Sequence, residues 1–277
     1  MTQNKGQALA TTQQGGALVA IENPVFNLPI LVDPQEALEI MAENQQDLGR
    51  EFSFSKIKVP SGGSISFEIT NENGKVVPVT EIKGIILDKF ALKTWYMKSF
   101  EEKTDEDTGI PDCWSPDNER GTGCETAGIP VGQLCKDCPK GQWGSDRRGG
   151  RGKDCQDKIR VYILQENEMF PVFIDLPPTS TKNFVDYIQR ITNKKLSHYA
   201  VVTSIGLEKA KSDSKIEYSK AVFHKEAELS QPEKMAIKEY IKSLKDAMRR
   251  ITKESFREEK PVEGTVIENQ DDDDNPY

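Results

Sequence analysis

The stretch 51–70, "EFSFSKIKVPSGGSISFEIT", changes character at every second residue. Phe52 and Phe54, then Ile65, Phe67 and Ile69, fall on one side of an extended chain, with polar residues between them. A period of two is that of a strand covered on one face. "PSGG" between the halves is turn chemistry, as is "NENGK" at 71–75. The chain is therefore read as mainly β, and the same reading extends outward from this stretch.

Downstream, "PVTEIKGIILDKFALKTWYMKSF" (78–100), "KIRVYILQ" (158–165), "MFPVFIDLP" (169–177), "YAVVTSIGLEKA" (199–210) and "KIEYSKAVFHKEAEL" (215–229) read as further strands. Helices are expected at 33–50, with Asp33 as N-cap, Pro34 in the first turn and Gly49 as the stop, and at 178–191, with Phe184, Ile188 and Ile191 inward. A last helix begins at Ser230, where Glu233 three residues on makes a capping box. Ile237, Ile241, Leu244, Met248 and Ile251 then form a seam that docks on the sheet or on a partner helix. The expected fold is α+β and mainly β: a small OB-like barrel of about seven short strands with a few flanking helices. Residues 26–258 are its domain, 110–158 an irregular insert, and 1–25 and 259–277 disordered tails of low or acidic complexity.

Net charge is −8 over 277 residues, but it is unevenly laid out. Glu263, Glu268 and Asp271 to Asp274 crowd the end, whereas eight basic side chains lie between Cys135 and Arg160 against four aspartates. No apolar run reaches the roughly 20 residues of a membrane span, and no apolar core follows a basic start as in a secretory signal. A cytoplasmic protein is expected.

All five cysteines fall in the insert, as Cys113-x21-Cys135-x2-Cys138-x16-Cys155 with Cys124 inside the first gap. An odd, clustered set in a reducing compartment argues for metal over disulfides. A CxxC knuckle with two flanking thiolates makes a tetrahedral Zn²⁺ site, closed and therefore structural. Cys113, Cys135, Cys138 and Cys155 are the preferred ligands, and Cys124 in place of Cys113 is the alternative. The insert, rich in Gly, Asp, Lys and Arg, has too little apolar surface to order itself without such an ion.

Single-strand binding needs a cationic track and flat aromatics. The aromatic candidates are Trp95, Tyr96, Trp114, Trp143 and Tyr162; the cations are Lys93, Arg147, Arg148, Arg151, Lys153, Lys158 and Arg160. Core packing is the competing role for each aromatic. Trp95 and Tyr96, as strand neighbours, point to opposite faces, and Trp143 either covers the sulfurs or stacks on a base. "GSDRRGGRGK" (144–153) is a solvated loop or a phosphate clamp. His198 and His224 stand alone, and there is no Walker loop or GxSxG. The DTG at 107–109 lies in the aperiodic stretch 101–158 and not between strands, so no enzyme is expected.

The run "CKDCPKGQWGSDRRGGRGKDCQDKIRVYILQENEMFPVFIDLPPTSTKNFVDYI" (135–188) resembles a family of bacteriophages and bacterial mobile elements. Its marks are a CxxCPxxxWGS-type knuckle, a Gly/Lys-rich loop to a last cysteine, a strand pair and an LPPTS turn into a helix. "VPSGGSISFEI", "EIKGIILD", "PDCWSPDNERGTG" and "YSKAVF" extend the likeness over about residues 55–228. The resemblance implies an OB-like single-stranded-DNA-binding protein of phage replication or recombination, with ligands at Cys113, Cys135, Cys138 and Cys155 but not Cys124. The Cys113–Cys135 interval departs from the family in length, which leaves the role of Cys124 open. The ending "DDDDNPY" is similar to the acidic tip of single-stranded-DNA-binding proteins. That likeness implies that Asp271, Asp272, Asp273, Asp274, Pro276 and Tyr277 dock on replication partners. A zinc-ribbon adaptor without DNA affinity, or a duplex-DNA regulator, are the competing functions.

Overall fold

The computed structural model describes residues 10–14, 17–21, 24–27, 34–47, 53–71, 73–99, 102, 104, 108–147, 149–212 and 215–257. In chain order the strands are β1 (Ala10–Gln14), β2 (Ala17–Ile21), β3 (Lys56–Ile57), β4 (Phe67–Thr70), β5 (Val76–Val79), β6 (Glu81–Trp95), β7 (Cys113–Ser115), β8 (Gln156–Leu164), β9 (Val172–Leu176), β10 (Val201–Lys211) and β11 (Glu217–Glu228). The helices are α1 (Pro34–Gln45), α2 (Pro178–Asn193) and α3 (Gln231–Arg249). Seven strands form the main sheet in the order β11-β10-β6-β8-β9-β3, with β7 paired to the far end of β6. All its ladders are antiparallel except β3 with β9. β1–β2 and β4–β5 are separate two-stranded ribbons.

The chain is mainly β, as the period of two implies. That period overstates the strands at 51–70, where only 56–57 and 67–70 are regular. Phe67 and Phe54 are buried, but Ile65 stays exposed beside the Ser–Gly link. The first segment departs from expectation more. Residues 10–14 and 17–21, read as disordered, pair as the antiparallel strands β1 and β2. Asp33, Gly49 and the acidic tail lie outside the described residues.

The sheet is covered on both faces. Ile85, Leu87, Tyr162, Leu164 and Phe173 pack with Ile237, Tyr240, Leu244 and Met248 of α3. Ile86, Val161, Ile163, Ile174 and Leu176 pack with Phe184, Tyr187 and Ile191 of α2. Ile85–Leu87 of β6 and Val161–Leu164 of β8 consequently read as short continuous apolar runs, as segments buried on two sides do. Burial on this scale, at about 25 cal/mol per Å², is what offsets the entropy of ordering the chain. The seam of α3 thus docks on its own sheet.

The capping box forms as expected. The Ser230 side chain accepts from the Glu233 N–H at 3.5 Å, and Glu233 accepts from the Ser230 N–H at 2.7 Å. The same buried carboxylate also accepts from the N–H groups of Val25 and Phe26, at 2.8 and 3.1 Å. That ties the start of the domain to the start of α3. The outer edge of β11 is closed by α2: Ala221 N–H donates to Ser180 Oγ (3.0 Å), and Asn183 donates to the Ala221 carbonyl (2.9 Å). Such cover keeps an edge strand from pairing with another chain.

His198 shows how a lone histidine is satisfied. β6 slips register near Leu87, and His198 Nε2–H donates to the Leu87 carbonyl left by that bulge, at 3.3 Å. Its Nδ1 accepts from Lys89 Nζ at 3.4 Å. Burial, then the charge of Lys89, push its pKa down to about 4. A folded-state value below the unfolded one means that only the unfolded chain takes up the proton as pH falls from about 6.5 to 4. Stability should therefore drop by up to about 3 kcal/mol across that window, since one pKa unit is 1.36 kcal/mol. Urea denaturation at a series of pH values checks this. His198→Gln should flatten the slope, and an unchanged slope would count against the assignment.

Candidate nucleic-acid interface

The insert hangs between the end of β6 and the start of β8, and β7 pins it back onto β6 through Lys93↔Ser115 and Trp95↔Cys113. At the knuckle, Asp137 N–H donates to Leu134 O (3.0 Å) and Gly141 N–H to Cys138 O (3.0 Å). Cys135 N–H reaches Glu119 O and Cys155 N–H reaches Lys140 O, both at 2.8 Å, so three separate stretches converge on the knuckle. Gly121 lies so close that a Cβ there would stand 3.0 Å from the Cys113 sulfur. A side chain at this position would push into the thiol.

Cys113, Cys135, Cys138 and Cys155 line one cavity of about 20 Å³, together with Lys93, Trp95 and Lys140. That volume holds one water-sized occupant. Cys124 lies outside it, with its sulfur 3.2 Å from Thr126 Oγ1. All five are free thiols. Burial raises the Cys113 thiol and pushes Cys155 up to about 12. Among the described residues no group of three or more His, Cys, Asp or Glu side chains is arranged to hold a metal ion. The four thiols share a cavity without closing on a common point. As a donor set they fit an all-sulfur tetrahedral ion.

Around the cavity, Asp154 is the hub of the polar structure. Trp95 Nε1–H and Arg147 Nε–H donate to its two oxygens, each at 2.8 Å, and Lys140 Nζ stands 3.6 Å away. Burial opposes its ionisation, yet Arg147 and the Trp95 N–H outweigh this and hold the carboxyl below the usual range. Arg147 also donates to the carbonyls of Tyr96 and Met97. Asp157 is a second anchor at the start of β8, pairing Lys93 and, at 2.8 Å, Lys153. The sequence reading missed both aspartates, although they flank Cys155 in "KDCQDK" and the alternation of charge was visible there.

Several candidates turn out to serve the core. Trp95 is buried, with Lys140 5.1 Å and Arg147 5.7 Å from its ring. Tyr162 is buried among Phe54, Phe90 and Phe173. Arg160 is fully buried and bonded to Asp175. None of the three can meet a nucleotide in this structure, because each is buried under the groups packed on the sheet. Trp114 is half-buried, its ring 5.5 Å from Phe256. Tyr96 is half-buried too, with its hydroxyl donating to Gly109 O at 3.3 Å and Lys158 Nζ 5.5 Å from the ring.

Trp143 is the opposite case. It is 78% exposed, Lys153 Nζ is 5.0 Å from its ring, and it takes no part in lining the thiol cavity. Arg151 and Arg147 are exposed nearby in sequence. Their loop is closed on itself: Gly144 N–H donates to Gly152 O at 2.8 Å, and Gly149 N–H to Asp146 O at 2.9 Å. Gly150 packs close to Asp146: a Cβ there would come within 2.8 Å of Oδ2, and the Asp146 side chain would have to swing aside. Arg148 and the tip residues Asp271, Asp272, Asp273, Asp274, Pro276 and Tyr277 lie outside the described residues.

No helix among the described residues is long and apolar enough to cross a membrane. Compared with protein-family models, with curated proteins and with solved structures, the chain matches none.

Proposed function

We propose that this chain is a non-enzymatic single-stranded-DNA-binding protein whose insert carries the strand. The observation that carries the reading is Trp143, an indole face held in solvent on a closed, cation-bearing loop. Burial of so large a ring is the norm. Left exposed beside Lys153, with Arg151 and Arg147 in the same loop, it offers the stacking surface and the charge that sequence-tolerant binding requires. β3 and β11 end the sheet without pairing with each other, so the reading rests on the insert and does not require a closed OB barrel. One structural Zn²⁺ on Cys113, Cys135, Cys138 and Cys155 would order the insert, and the acidic tip at 271–277 would recruit partners in replication or recombination.

One observation favours a second reading. Lys93, Lys153, Lys140 and Arg147 are engaged with Asp154 or Asp157, which leaves less charge for phosphate. On that ground the insert is a protein-interaction adaptor built around the same exposed tryptophan.

Anisotropy of fluorescein-labelled oligo-dT in 50 mM salt separates the two. Binding at low micromolar protein, weaker for duplex, is expected. Trp143→Ala should weaken it by about 1–3 kcal/mol, the contribution of one stacked base. No binding, or equal affinity for duplex, sinks the single-strand reading. A second chain ending at Val262 tests the acidic tip, which should compete with DNA and so weaken it in the full chain.

A further inference from the structure

Helix α3 bears a cationic row that belongs to neither the insert nor the core. Lys234, Lys238, Lys242, Lys245 and Arg249 follow at steps of four, four, three and four residues. At 3.6 residues per turn they fall within an arc of about 80°, and at 1.5 Å per residue the row is about 22 Å long. The apolar seam of Ile237, Leu244 and Met248 lies on another arc and is buried against the sheet.

The ends of the row are tied. Lys234 pairs Glu228 at 2.8 Å, and Arg249 pairs Asp88 at 2.6 Å with its guanidinium 4.3 Å from the Phe90 ring. Lys238, Lys242 and Lys245 between them are exposed, Lys242 with Glu239 at 2.7 Å. The acid of the first turn, Glu233, is buried and occupied by Ser230, Val25 and Phe26. Each neighbouring pair along the row is thus a like-charge pair at i,i+3 or i,i+4, a spacing at which like charges destabilise a helix. Glu228, Glu239 and Asp88 offset the charge at Lys234, Lys242 and Arg249, and Asp246 lies beside the row, but Lys238, Lys242 and Lys245 still gather three exposed cations on one face of a chain of net charge −8.

We infer that the row on α3 is a second phosphate track for the single-stranded DNA that the insert holds, an extension that rests on the function proposed above. Two features pick this partner. The apolar face of α3 is already spent on the sheet, so the helix cannot lie in a lipid interface, which needs that face free. Its C-terminal end is fixed by Arg249 to Asp88 and the Lys89 carbonyl on β6, the strand that runs on to the insert at Trp95. β6 thus joins the end of the row to the start of the insert, and the DNA held at Trp143 is taken to reach the row over the surface outside the covered sheet. Lysines suit such a path, acting as mobile point charges on any phosphate without reading a base.

The test is the salt dependence of oligo-dT binding, using a fluorescein-labelled 30-mer. Lys238→Glu, Lys242→Glu and Lys245→Glu together should lower affinity about tenfold or more at 50 mM salt. They should also make the plot of log K against log salt shallower by about 2, three phosphate contacts at about 0.7 each. The triple glutamine variant should show the same loss of slope should the reversed helix prove unstable. Trp143→Ala should lower affinity and leave the slope in place. Oligo-dT binding by the wild-type chain with slope and affinity unchanged in both triple variants overturns the inference and leaves the proposed function standing. No binding by the wild-type chain overturns both. Tighter binding by the variants, seen only while residues 258–277 are present, would show that the row seats the acidic tail, and also overturns it.

Discussion

Truncating Asp175 to alanine is expected to cost about 3–5 kcal/mol of stability, the scale for a buried ion pair that loses one partner. Arg160 donates to both Asp175 oxygens, at 2.7 and 2.8 Å, from a site with no solvent exposure. Burial works against ionising Asp175, but the facing guanidinium outweighs it and holds the carboxyl below its ordinary range. The guanidinium also lies 4.0 Å from the Phe173 ring and 5.1 Å from that of Phe256, and it donates to Ser255 O at 3.3 Å. Without Asp175 this cation would be left in an apolar interior that water cannot reach, with Nη1 already lacking a partner. Because the carboxyl is depressed, its contribution is present at neutral pH and fades as pH falls through the folded-state value. The segment Thr252–Phe256 should loosen at the same time, since Arg160 and Trp114 are what hold Phe256. The double replacement Arg160→Met with Asp175→Leu should recover most of the loss, because it removes both charges and refills the space. Urea midpoints decide the matter. A single-site cost below about 1 kcal/mol, the range of an exposed pair, would mean that the pair is solvated.

The same pair marks where the sequence stopped being informative. A helix that buries one stripe announces itself, and α2, α3 and the Ser230–Glu233 box were legible for that reason. β8 and β9 were legible as strands, but not in their orientation, because helices on both faces favour apolar residues at successive positions and blur the alternation. A charged residue in such a run, like Arg160, looks like a surface group until Asp175 is placed opposite it by the β8–β9 register. For Trp95 and Tyr162 the choice between core packing and base stacking stayed open for the same cause, and both are buried. In the insert the reverse holds: short-range chemistry dominates, so a CxxC knuckle with flanking cysteines could be picked out from spacing, and the preferred four do line one cavity. Asp154 and Asp157 could not be given their roles that way, because those depend on cations brought in from β6 and the 140–147 loop. The β1–β2 pairing was missed because Thr and Gln mask the period, although the Gly15–Gly16 pair between the strands is a turn signal in itself.

Losing one of the four cavity thiols is expected to cost more than any other single change in the chain. The insert has no apolar core of its own: among its residues only Ile129 is a buried hydrophobic beyond those of the flanking strands. What holds it is backbone bonding at the knuckle, the Asp154 hub and, on the function proposed above, an ion on the four sulfurs. If that is Zn²⁺, binding free energy is folding free energy, with apparent values of about 10–16 kcal/mol in small zinc modules. Cys138→Ser should then abolish metal retention and unfold the insert, whereas Cys124→Ser, outside the cavity, should do neither. The loss would not stay local. β7 carries Cys113 into the sheet next to Lys93 and Trp95, so Trp95 should become accessible and its fluorescence should shift to the red. Native mass spectrometry gives the stoichiometry, expected at one ion per chain in the wild type and in Cys124→Ser. Amide hydrogen exchange gives the order of 113–155, expected to collapse in Cys138→Ser and on chelation. A stoichiometry well below one, or an insert as protected in Cys138→Ser as in the wild type, would mean that the knuckle stands on its hydrogen bonds alone.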